Sequence, residues 1–143
     1  MSSPTIHASA VLVGARAVLI RGPSGSGKSR LALELIQAAR GGTLRFARLV
    51  GDDRVHVEAM HGRLLVRPAA ALAGMIELRG AGILKLPHEP SAVVGFVVEL
   101  AAAAERSPGA RQQRTELEGV TLARLAVAVG EPALPAVLAL LTS

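Results

Sequence analysis

Apolar residues fall along this chain in short runs separated by glycine, proline and charge. Ala10-Val11-Leu12-Val13, within residues 5–13, and Ala17-Val18-Leu19-Ile20 are joined by Gly14-Ala15-Arg16 and predict a hairpin. Leu31, Ala32, Leu35, Ile36 and Ala39 then recur at helical spacing before the stop signal Gly41-Gly42, which predicts a helix over 28–40. Residues 46–50 predict a strand that ends at Gly51-Asp52-Asp53. Alternation at 55–58 and 63–66, around a turn at 59–62, predicts a second hairpin, closed by Arg67-Pro68 and followed by a short helix at 69–73. In the extended stretch 74–84, alternation sets Glu77 and Arg79 on one face and Ile76 and Leu78 on the other. Residues 92–100 are a strongly apolar run and the best candidate for a central buried strand. Residues 101–114 turn polar and read as a loop, 120–129 as a short strand or interface segment, and 132–141 as a terminal helix with proline in its first turn.

Strands of this length around one strong helix predict an α/β fold with a mixed sheet. With no repeat or linker in sight, residues 1–143 read as a single domain with room for a full core. Half the residues are apolar, which excludes a disordered chain. No apolar stretch of about eighteen residues is free of charge or helix breakers, and the amino-terminal residues lack a secretory pattern, so no membrane span and no signal are expected. The absence of cysteine excludes disulfides and thiolate metal sites and fits the cytoplasm. The net charge of +5 invites a nucleic-acid partner, but the arginines are scattered singly. With Phe46 and Phe96 the only aromatic residues besides histidine, a base-stacking platform is lacking. No nucleic acid is therefore expected.

The chemistry concentrates at Gly22-Pro23-Ser24-Gly25-Ser26-Gly27-Lys28-Ser29, which fits the phosphate-loop pattern G-x-x-x-x-G-K-[ST] and stands between a predicted strand and a predicted helix. The glycines let backbone N–H groups approach phosphate oxygens, and the helix points its positive end at the same anion. Lys28 is expected to reach the β- and γ-phosphates and Ser29 to ligate Mg²⁺. Asp52 and Asp53 end a strand downstream of that loop, where a carboxylate can hold Mg²⁺ through water or accept a proton from an attacking hydroxyl. Glu77 beside Arg79, before the glycines of Arg79-Gly80-Ala81-Gly82, can serve a metal and a phosphate, or form a surface ion pair. His56 and His61 have no metal spacing around them and read as structural or solvated rather than as ligands.

The order His7-Ala8, the loop at 22–29, Asp52-Asp53-Arg54-Val55, then Ile76-Glu77-Leu78-Arg79-Gly80-Ala81-Gly82-Ile83 resembles the catalytic domain of the HPr kinase/phosphorylase family, over about residues 5–109. The resemblance is to the short form, the catalytic domain alone, and implies a P-loop core arranged like that of phosphoenolpyruvate carboxykinase. It implies an ATP- and Mg²⁺-dependent kinase of a serine on HPr, a small phosphocarrier protein of a phosphotransferase system. Many members also run phosphorolysis of the phosphoserine to pyrophosphate. By this resemblance Asp53 is the base, Lys28 neutralises phosphate, and Ser29, Asp52 and Glu77 hold or position magnesium. Arg79 contacts phosphate or the protein substrate, His7 sits near the catalytic aspartate, and Arg106 is a loop arginine that stabilises transferring charge. Oligomers, commonly hexamers, are also implied. Two other classes fit the phosphate loop: a small-molecule kinase, for which an arginine-rich lid and a substrate insertion are wanting, and a non-catalytic nucleotide sensor, which has no use for the acids.

Overall fold

The protein's structure, a computed structural model, describes residues 5–102 and 112–142. The chain runs β1 (Thr5–His7), β2 (Ser9–Val13), β3 (Arg16–Arg21), α1 (Lys28–Arg40), β4 (Ala47–Gly51), β5 (Arg54–Met60) and β6 (Arg63–Pro68). A short 3-10 turn at Ala70–Leu72 leads to β7 (Met75–Leu78), β8 (Gly82–Lys85), β9 (Ala92–Ala102), β10 (Gln112–Leu117), β11 (Val120–Ala128) and α2 (Ala133–Thr142).

The main sheet has the order β1-β5-β6-β9-β3-β2-β4, with β11 also on β9 and β10 outside β11. It is mixed: β9 runs parallel to β3 and to β11, while the other neighbours are antiparallel. β9 is the axis, as its apolar run predicts, with Val97 and Val98 both fully buried on opposite faces. On one face Val18, Ile20 and Val98 pack under Leu31, Leu35 and Ile36 of α1, and α2 adds Val137. On the other, Ala17, Leu19 and Val97 share a second interior with Val55, Val57, Leu64 and Val66 of the β5–β6 hairpin. Burying the α1 face is what holds a helix of this length, since an isolated one is marginal in water.

Three expectations change. Residues 5–13 are two strands with different partners: β1 pairs with β5, and β2 lies between β3 and β4. The apolar pattern carries no mark of that switch, because Ala8, where it occurs, is itself buried. Residues 112–114, expected as the end of a loop, instead open β10, an outer strand whose partner among the described residues is β11. Arg79 lies in the turn after β7, so the strand alternation stops at Leu78, with Ile76 fully buried and Glu77 exposed.

Beneath the phosphate loop a polar cluster ties strands together on the face away from α1. Arg21, the last residue of β3, donates to Glu99 of β9 at 2.8 Å and to Thr115 of β10 at 3.3 Å. Arg124 of β11 also reaches Glu99, at 3.5 Å, and donates to Gln113 at 2.7 Å.

Candidate active site

The loop of residues 22–27 leaves β3 and enters α1 without a side-chain cap; Gly27 stands at the N-cap with φ 99°, a conformation open to glycine and costly for residues with a Cβ. At Gly22 a Cβ would meet Ser26 Oγ at 2.6 Å and Leu100 Cβ at 3.1 Å. The loop is therefore closed against the end of β9 and has no room for a larger residue. Lys28 curls over it, its Nζ donating to the carbonyls of Gly22 at 2.8 Å and Pro23 at 3.1 Å.

Asp52 follows β4 and is 3% exposed. Its carboxylate accepts Ser29 Oγ at 2.8 Å on both oxygens and Ser9 Oγ at 2.5 Å on Oδ1, and the Glu77 backbone N–H approaches Oδ2 at 3.4 Å. Four segments thus converge on one acid: β2, the start of α1, the end of β4 and β7. Such a buried carboxylate has a fixed direction, because donors on several sides hold it. Asp53 is its opposite, exposed and at φ 68°, a strained setting for a residue other than glycine and one common at functional sites. The backbone keeps it there: Ala8 N–H donates to the Asp53 carbonyl at 3.2 Å, and Arg54 N–H to the Asp52 carbonyl at 2.8 Å.

Lys28, Ser29, Asp52, Asp53, Glu77 and Arg79 all line one open cleft of about 800 Å³, together with Ser24, Gly25 and Gly27 of the loop. Gly22, Pro23 and Ser26 complete the loop behind them. His7 stands apart from those walls: its Nε2 accepts from the Arg54 guanidinium at 2.9 Å, one residue along from Asp53. Arg106 lies outside the described residues. Ser9 was not legible as a site residue; a serine in an apolar run reads as strand, and its partner is 43 residues away.

Among the described residues no group of three His, Cys, Asp or Glu side chains gathers to hold a metal. The donors present, the Asp52 carboxylate and the Ser29 hydroxyl beside a phosphate loop, suit Mg²⁺ in particular, an ion that keeps several waters and shares phosphate oxygens. Also among the described residues, no helix is long and apolar enough to cross a membrane.

Comparison with known proteins converges on one family. The sequence profile of the HPr Serine kinase C-terminal domain matches residues 1–135. The HPr kinase/phosphorylase of Clostridium tetani is 40% identical over 82 residues, which is 57% of this chain and 25% of that protein. That of Streptococcus thermophilus is 43% identical over 81 residues, 56% of this chain and 24% of that protein. The chain matches about a quarter of the length of these curated relatives. Among solved structures, the HPr(Ser) kinase/phosphatase from Coxiella burnetii aligns with a TM-score of 0.82, covering 98% of this chain and 95% of that one at 21% identity, a likeness of fold.

Proposed function

This chain belongs to the HPr serine kinase family, and on that premise we propose that it transfers the γ-phosphoryl group of ATP to a serine of an HPr-type phosphocarrier protein in the cytoplasm. The observation that carries the reading is the division of labour between neighbours. Asp52 is buried and bonded to Ser29, whereas Asp53 is exposed on the same cleft as Lys28.

The loop N–H groups and Lys28 bind the phosphates, and Lys28 is oriented by its bonds to Gly22 and Pro23. Ser29 and Asp52, with Glu77 on the facing wall, would hold Mg²⁺, which when bound neutralises phosphate charge. Asp53 accepts the proton of the seryl hydroxyl as its oxygen bonds to the γ-phosphorus; the bond to the β-phosphate oxygen breaks, and ADP leaves with that electron pair. In reverse, the protonated Asp53 returns its proton to the serine oxygen while inorganic phosphate takes the phosphoryl group, giving pyrophosphate. Exposure of Asp53 and Arg79 fits an acceptor delivered by a protein surface, since neither has to be uncovered first. Arg79, on the same cleft, would contact phosphate or the incoming protein. His7, bonded to Arg54, steadies the segment that carries Asp53.

The test is to incubate the protein with Mg-ATP and either an HPr-type phosphocarrier or a panel of small hydroxyl acceptors. Phosphoserine on the phosphocarrier is expected. Phosphate only on a small acceptor would make this a metabolite kinase.

A further inference from the structure

The root of the phosphate loop is fastened to two consecutive residues of β9. Arg21 closes β3 in register with Glu99, and its guanidinium donates to Glu99 Oε1 at 2.8 Å. One residue on, Gly22 lies against Leu100: a Cβ there would meet the Leu100 Cβ and carbonyl oxygen, each at 3.1 Å. Side chain and backbone thus grip the same point of β9. The fastening continues toward the site, because the Gly22 carbonyl is the nearer of the two anchors of Lys28 Nζ, at 2.8 Å against 3.1 Å for Pro23. Among the described residues the other acceptor of Arg21 is Thr115, a neutral hydroxyl at 3.3 Å, and the Arg21 Nε is buried without a partner. Glu99 is therefore the carboxylate that meets this charge. Its Oε1 also takes Arg124 at 3.5 Å. Arg124 belongs to β11, however, and turns from Glu99 to Gln113 of β10 at 2.7 Å, so the bonds it makes among the described residues lead away from the loop.

We infer that Glu99 is a positioning residue for the phosphoryl donor: through Arg21 it fixes the Gly22 carbonyl, and with it the place of Lys28 over the loop. The inference rests on the phosphate-loop reading above. Glu99 is not among the residues that line the acidic cleft, so its effect on phosphate passes through Arg21. The two side chains are each 23% exposed, withdrawn far enough from water for the pair to hold one geometry. A guanidinium fork on a carboxylate sets direction as well as charge. Without the carboxylate, the guanidinium has to turn outward for water. That movement pulls on the Arg21 backbone, and the adjoining Gly22, having no Cβ, is free to follow it. The Lys28 anchor then shifts. A misplacement of about 1 Å in a group that holds substrate can cost about 10²-fold, so a small drift at the loop root is felt at the phosphates.

Calorimetric titration of the whole chain with tripolyphosphate and with ATP, each with Mg²⁺, tests this, with urea unfolding of every variant alongside. Glu99→Gln keeps the size of the side chain and removes the charge that two guanidiniums share. Both ligands are expected to bind it about tenfold more weakly than wild type, and Arg21→Gln to show the same loss. The double variant should bind no more weakly than either single one, since both substitutions break one path. Arg124→Gln is the control. It removes a partner from the same carboxylate and should lower the unfolding midpoint about as much as Glu99→Gln does, yet bind both ligands within about twofold of wild type. Should either single variant fail to fold, Glu99→Asp, whose carboxylate falls one methylene short of Arg21, takes its place against Arg124→Gln with the same expected sign. Wild-type binding by Glu99→Gln or Arg21→Gln, an Arg124→Gln variant that binds as weakly as Glu99→Gln, or losses that multiply in the double variant overturn the inference and leave the phosphate loop standing. A wild type that binds neither ligand overturns the loop reading and the inference with it.

Discussion

At the scale of single residues, the site depends on two adjacent carboxylates with opposite surroundings. Among the described residues, Asp53 is the one acid on the cleft that is both exposed and held by a left-handed backbone, beside the buried Asp52. On the proposed mechanism, Asp53→Asn keeps the shape and removes the proton acceptor. It should therefore retain nucleotide affinity while phosphoryl transfer falls by about 10²–10⁴-fold; titration calorimetry and a single-turnover assay separate the two. Ser9 acts through Asp52. Removing its hydroxyl leaves a buried carboxylate short of one donor, and Ser9→Ala should cost about 1–3 kcal/mol in urea unfolding. It should also weaken Mg²⁺-dependent nucleotide binding by roughly tenfold. A structural role alone would move the first and spare the second. Nothing in the local sequence distinguishes this serine; the contact exists because β2 and β4 are neighbours in the sheet.

At the scale of elements, the strand–loop–helix unit was legible because each part carries its own local signal. Helix 28–40 matches α1, since both its apolar spacing and its glycine stop are set within the segment. The hairpin at 54–68 is legible for the same reason: its alternation and its turn at His61-Gly62 are local. β10 has no such signal. Gln112–Leu117 is polar in most positions, and only its partner β11 makes it a strand. Two variants probe the unit. Leu35→Ala opens a hole where α1 meets the sheet at a fully buried residue, and should cost about 2–5 kcal/mol in denaturant unfolding. Gly22→Ala presses a Cβ into Ser26 and Leu100. It should damage nucleotide binding far more than global stability, as seen by comparing calorimetric affinity with the unfolding midpoint.

At the scale of the whole molecule, β9 links the parts. It carries both interiors, and at its far end Glu99 receives Arg21 from below the loop and Arg124 from β11. Those side chains are about a fifth exposed, 23% for Arg21 and Glu99 and 18% for Arg124. Glu99→Ala leaves two guanidiniums without their shared acceptor and should cost about 1–3 kcal/mol, measured by urea unfolding. Long-range clusters of this kind, like the hollow lined by residues 100–101 and 127–135 beside the loop, arise only once distant strands are in register, which is why neither is visible along the chain. In the proposed reaction an exposed acid beside loop-bound phosphates takes the proton of a protein serine as that serine receives the γ-phosphoryl group. The most direct measurement is mass spectrometry of an HPr-type phosphocarrier after one turnover with Mg-ATP, using wild type and Asp53→Asn in parallel. A single phosphoserine is expected with the wild type and an unmodified phosphocarrier with the variant, both proteins binding ATP alike. A wild type that binds ATP and leaves the phocarrier's serines untouched, or a variant that phosphorylates them at the wild-type rate, would contradict it.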